Sequence, residues 1–318
     1  MNREVEPVLI AGAGPVGCVL ALYLAQNNVP VRILEAAKDL NVDLRASTFH
    51  PPTLDMLDEL GLTPRLIEQG LLVRSYQYRD RTSGDIAEFH FDLLSSETSH
   101  PYRLQCEQYK MTRICLDMLS DYKVASVDFA TKVLGFQQDD RSVHALAFGK
   151  NGAERITGSF LIGADGADSR APQSAGIVYA GLTYPELFLV IGTTFPFEEH
   201  IPNLSPVNYV SDPDEWCVLL KTDESWRVLV PTEVGADREK LLSDSFIGSR
   251  LKRIVPEAEG SQVLHRSLYH VHQRVAETYR IGRRVVLAGD AAHINNPLGG
   301  MGMNGGIHDA INLGEKLV

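Results

Sequence analysis

The chain has 318 residues, 44% of them apolar, and a net charge of -11. That length builds about two domains, or one large cofactor fold with an insert. So acidic a chain lacks the positive field that attracts phosphates, which excludes general binding to nucleic acid or anionic membrane.

The four cysteines Cys18, Cys106, Cys115 and Cys217 form no C-x-x-C pair, and no histidine cluster has metal spacing. The start, Met1 to Pro7, is polar and carries no secretory signal. No apolar run is long enough to span a membrane. A soluble cytoplasmic protein with reduced thiols is expected.

Val8 to Ala11 reads as a short apolar strand. It runs into Gly12-Ala13-Gly14-Pro15-Val16-Gly17, followed by a helix with Val16, Leu20, Tyr23 and Leu24 on one face. Asn27-Asn28 ends that helix, and Val31 to Leu34 is the next strand. Helices are predicted at 52 to 60, stopped by Gly61, and from Gln108 through Leu119. Strands follow at Lys123–Phe129, Val133–Gln137, Val143–Phe148 and Ile156–Ala164, with an Asn151-Gly152 hairpin turn before the last. Residues 186 to 231 alternate strands with turns, 236 to 260 read as helical, and Leu264 to Val271 alternates again. Arg284 to Ala288 is a buried strand, and a glycine-rich loop and a helix end the chain. The expected division is a nucleotide-binding domain from 1–74, 102–180 and 276–318, and a mostly β substrate domain from 75–101 and 181–275.

Gly12, Gly14 and Gly17 fit G-x-G-x-x-G between a strand and a helix. The first glycine permits the tight turn, the second lets backbone approach a pyrophosphate, and the third lets helix pack on strand. Pro15 and Val16 open the helix, whose N-terminus faces the phosphates. Glu35 ends the next strand and can accept hydrogen bonds from a ribose diol. The motif alone leaves NAD and FAD open.

Two later motifs choose FAD. Gly289-Asp290 follows a strand and leads through Pro297, Gly299, Gly300 and Gly302 to Met303 and Asn304. Such a loop sets backbone N–H groups against a flat ring, and the next helix points its N-terminus at it. A helix end stabilises the negative charge of a reduced flavin by up to ~2 kcal/mol. Asp165-Gly166 also ends a strand, and can be a plain turn when taken by itself.

The ordered set of three motifs resembles the single-component FAD-dependent aromatic hydroxylases, the para-hydroxybenzoate hydroxylase-like group, over nearly the whole chain. The resemblance implies a Rossmann-like α/β FAD domain of the glutathione reductase type with an inserted, mostly β substrate domain. It implies that Arg45, in the Arg45-Ala46 loop, and Gln108 contact a non-covalent FAD. Asp165 and Gly166 would lie near its pyrophosphate, and Pro297 with Gly299 to Asn304 would line its ring. NAD(P)H would reduce the flavin, O2 would add to form a C4a-hydroperoxide, and a small phenol-like or heteroaromatic substrate would be hydroxylated. The substrate-side candidates are Tyr209, His270 and His272, with Arg45 and Pro297 near the reacting ring; His50 is expected at the flavin edge and His293 in a structural role. The alternative is a reductase or dehydrogenase on the same scaffold without oxygen insertion. Disulfide reductases lack support for want of a cysteine pair, and flavin halogenases for want of their tryptophan signature. Pro172 stands where the group often has arginine, with Arg170 as a substitute. Most of the group continue beyond the position of Val318, so a truncated or minimal form is expected, with a homodimer left open.

Overall fold

In a computed structural model the described residues are 6–40, 42, 46–167, 169 and 176–318. Arg45, Arg170 and Pro172 lie outside them.

The central sheet has six strands in the order Arg280–Ile281, Val285–Leu287, Phe160–Gly163, Val8–Ala11, Val31–Leu34 and Ala125–Asp128. All pair in parallel except the first, an antiparallel edge. A sheet covered on both faces needs apolar residues at every position, and Val8–Ala11 is buried throughout. Val8 and Ile10 point into a core with the helices Pro15–Gln26, Gln108–Leu119 and Met301–Leu317. Leu9 and Ala11 point the other way, onto a three-stranded antiparallel sheet of 132–138, 143–149 and 152–158. Residues 17–22, 24 and 25 of the Pro15–Gln26 helix are all buried, so it is apolar nearly all round rather than along one face.

The expected single strand at 156–164 is two strands in two sheets. Gly152–Gly158 pairs with 143–149, whereas Phe160–Gly163 pairs with the first strand. Gly158 is the switch: a Cβ there would lie 2.5 Å from Leu9 and 2.6 Å from the Pro7 carbonyl.

An eight-stranded sheet runs His293–Ile294, Val263–Ala276, Tyr179–Thr193, Trp226–Pro231, Cys217–Lys221, Val207–Ser211, Ser75–Asp80 and Gly84–His90. Its back face, with Leu189, Ile191, Leu219 and Val228, packs on Ile247 and Leu251 of the helix Asp244–Ile254. Its front face, with Val190, Val218 and Leu229, is the one that matters for the site. The last strand, His293–Ile294, belongs to the segment after Gly289-Asp290 yet pairs with Val275 and Arg274. No helix among the described residues is long and apolar enough to cross a membrane.

Candidate functional site

The register of the central sheet builds one end of the site. Leu34, Ala11, Gly163 and Leu287 lie side by side, so four strands finish level. These strands run on, in turn, into Glu35, Gly12, Ala164-Asp165-Gly166 and Ala288-Gly289-Asp290. Three motifs far apart in sequence therefore open on one crevice at the carboxyl ends of the strands.

The glycines have different physical reasons. Gly12 has φ +104°, and a Cβ would lie 2.6 Å from the Ala164 carbonyl. At Gly17 a Cβ would sit 2.1 Å from the Gly12 carbonyl, so this residue seats the helix on its strand. Gly14 differs. Its backbone is ordinary extended chain, φ -73° and ψ -179°, and no atom lies within 4 Å of its missing Cβ. Protein packing does not require glycine there; the open space is the crevice itself, which Gly14 lines. Gly302 shows the same openness on the facing helix. Both gaps suit a dinucleotide lying against bare backbone, so these residues fit FAD. Pro15 gives up no needed N–H at the first helical turn. Glu35 accepts from the Ala13 and Ala37 N–H groups, each at 2.7 Å, which aims its carboxylate across the crevice.

The glycine-rich loop is held by side chains that do not line the crevice. Asn304 is buried; its Nδ2 donates to the Thr48 and Gly300 carbonyls at 2.8 and 2.6 Å, and its Oδ1 accepts from the His50 N–H at 3.0 Å. The neutral His50 ring donates Nε2–H to the Gly299 carbonyl at 2.7 Å. Burial, with Arg103 nearby, pulls the His50 pKa down to about 4. His50 thus braces the loop, whereas its sequence position suggests the flavin edge. His293 Nε2 lies 2.7 Å from Asp309 Oδ2, which also accepts from the Gly289 N–H at 2.9 Å. That hydrogen bond raises the His293 pKa against the opposing effect of burial. Gly289, at φ +61°, would put a Cβ 2.7 Å from Val16. Gly17, Gly289 and Asn304 therefore shape the crevice without lining it.

The crevice opens into a cleft of about 890 Å³ that reaches the front of the eight-stranded sheet. Along it lie Gly12, Gly14, Pro15, Val16, Glu35, Gln108, Asp165, Gly166 and Asp290 at one end, and Pro297, Gly300, Gly302 and Met303 over the middle. The helix Met301–Leu317 begins there, so its first-turn N–H groups open on the cleft. At the far end Val190, Leu229, Val218 and Tyr209 are successive cross-strand neighbours, and Tyr78 stands next to Tyr209 in the same register. Tyr209 stacks on Tyr78 with centroids 5.2 Å apart. His270 and His272 also line the cleft, 6.1 Å apart, but His270 is exposed at the rim. His272 is tied to Thr183 at 2.8 Å, and burial, then Arg274, lowers its pKa. Sequence reasoning missed Arg103, Arg227 and Tyr269 in this wall. No motif marks them; cross-strand register brings them together.

The family described as FAD binding domain matches residues 6–318. The chain belongs to the FAD-dependent aromatic hydroxylase family. Para-nitrophenol 4-monooxygenase of Pseudomonas sp. (strain WBC-3) is 33% identical over 99% of this chain and 78% of its own length. Pentachlorophenol 4-monooxygenase of Sphingobium chlorophenolicum is 28% identical over 98% of this chain but only 57% of its own. The crystal structure of p-nitrophenol 4-monooxygenase from Pseudomonas putida DLL-E4 superposes with a TM-score of 0.92 at 31% identity, covering 98% of this chain and 79% of that one. This flavoprotein is accordingly a FAD-dependent monooxygenase, and the reductase alternative is not favoured.

Proposed function

We propose that this monooxygenase hydroxylates a small phenol-like or heteroaromatic compound, with NAD(P)H as electron donor and O2 as oxygen source. The observation that carries the reading is the continuity of one cleft from the bare backbone at Gly14 to the Tyr209–Val218–Leu229–Val190 row. Bound FAD supplies the redox chemistry and the activation of oxygen. In this reading Glu35 takes a ribose hydroxyl on its remaining lone pairs, and Asp165-Gly166 and Asp290 flank the pyrophosphate and ribityl chain. Gln108 holds the FAD from the start of its helix. The first-turn N–H groups of Met301–Leu317 favour negative charge on the ring they face. Pro297, Gly300 and Met303 lie along that ring.

The apolar row keeps water away from the reacting centre, which limits wasteful release of peroxide. In this reading Tyr209 orients a substrate hydroxyl, and His270 at the rim passes its proton to solvent. Residues 75–101 and 181–275 would act as the substrate-binding part. The four buried free thiols favour a reducing, cytoplasmic setting. The test is NADH and NADPH oxidation by the flavin-loaded protein across a panel of phenols and hydroxypyridines, with peroxide and product both measured. Hydroxylated product with little peroxide is expected for at least one compound. Oxidation that never yields hydroxylated product would sink the reading.

A further inference from the structure

Arg103 stands where the cleft meets a second cavity of about 460 Å³. The two spaces share Arg103, Tyr209, Val218, Leu298 and Gly299 as walls. Aromatic rings dominate the second cavity, from Tyr76, Tyr78, Tyr209 and Trp216, and no carboxylate borders it among the described residues.

The guanidinium carbon lies 4.6 Å from the centre of the Tyr76 ring and 5.3 Å from that of Phe91. Those ring faces hold the cation in place without using its N–H groups as hydrogen-bond donors. The buried Nε has no hydrogen-bond partner among the described residues. Four other arginines in the eight-stranded sheet region have a carboxylate: Arg79 has Asp85, Arg81 has Asp212 at 2.6 Å, Arg227 has Glu107 at 3.2 Å, and Arg250 has Glu215 at 2.6 Å; Arg274 has the Thr183 hydroxyl. A guanidinium stays charged at any working pH, and a desolvated charge is costly without a counter-charge. Among the described residues Arg103 has no such counter-charge, and it borders both the cleft and the second cavity.

We infer that Arg103 is a specificity-determining residue that receives the negative oxygen of an anionic aromatic substrate and selects ionised over neutral compounds. The inference rests on the function proposed above and names the substrate class within it. The shared wall at Leu298 and Gly299 puts that charge beside the loop assigned to the flavin ring. A planar fork of N–H donors suits a phenolate or a ring carboxylate equally.

The test is equilibrium dialysis of 4-nitrophenol, benzoate and the neutral 4-nitroanisole against FAD-loaded protein, above and below the phenol's own pKa. The parent should hold nitrophenolate more tightly above that pKa and show no such change for the anisole. Tight benzoate binding would extend the site to carboxylates, and its absence would confine it to phenolates. Arg103→Met should weaken the anion roughly 10- to 100-fold and leave the anisole within roughly twofold. Arg103→Lys should recover part of the loss, and both variants should retain FAD like the parent. Equal weakening of anion and anisole would assign Arg103 to packing on Tyr76 and overturn the inference, as would unchanged anion binding in Arg103→Met. A parent that holds FAD but takes up none of the three probes would sink the proposed function together with it; a selective failure of the arginine variants leaves that function standing.

Discussion

The two ends of the cleft recognise by different means. At the glycine end the walls are largely backbone: four strands finish level, with the carboxylates of Glu35, Asp165 and Asp290 set among bare glycines. At the sheet end the walls are side chains in a transverse row, with one cation that has no counter-charge among the described residues. A backbone-built site demands glycine at fixed places, whereas a side-chain-built site can stand on any strands of suitable register. The first should fail abruptly when a Cβ is added, and the second should change its preference while the protein stays folded.

The largest expected effect is at Gly17. Gly17→Val puts a Cβ against the Gly12 carbonyl and should cost about 3 kcal/mol or more of stability by urea unfolding. Wild-type stability in that variant would show that the helix seat yields. Next is the brace between the two ends. His50 has its pKa lowered in the folded state, so the unfolded chain binds more protons between about 6.5 and about 4. Stability is then complete above the higher value and falls with pH across that window, by up to about 3 kcal/mol. His50→Gln should remove that share of the slope when unfolding is measured at a series of pH values, and parallel curves would refute the burial argument.

Gly14→Val separates ligand from packing. FAD affinity should drop roughly 100-fold, or about 2.7 kcal/mol, while the stability of the flavin-free protein stays within about 0.5 kcal/mol. A comparable loss of apoprotein stability would mean that the glycine serves the fold. The smallest effect is expected at Asp290→Ala, with FAD retention by ultrafiltration weakened roughly tenfold, the size of one charge-assisted hydrogen bond. Unaltered retention there would move the ribityl contact elsewhere.

The same difference decides what was readable in the sequence. Gly12 and Gly17 each answer to a separate steric demand and Gly14 opens on the cleft, so the shape of the glycine end was legible residue by residue, along with Glu35 and the strands around it. The far wall was not. Tyr209 and the two histidines stand out by local alternation, but Arg103, one arginine in a three-residue strand, carries no local signature. The first half of the Tyr179–Thr193 strand is also hidden. Gly181 and Pro185 break its pattern, and its residues 180–183 are exposed, so only pairing with Val263–Ala276 across a bulge makes it a strand. Gly158 conceals a change of sheet inside one apolar stretch because its reason, contact with Leu9, is tertiary.

The short His293–Ile294 strand ties the eight-stranded sheet into the polypeptide that runs on to Pro297 and Gly300. Grafting a relative's sheet onto this scaffold would therefore sever a hydrogen-bonded seam unless residues 293–300 travelled with it. For anyone redesigning that sheet, the transplantable cassette is larger than residues 181–275, and it includes the glycine-rich loop's approach.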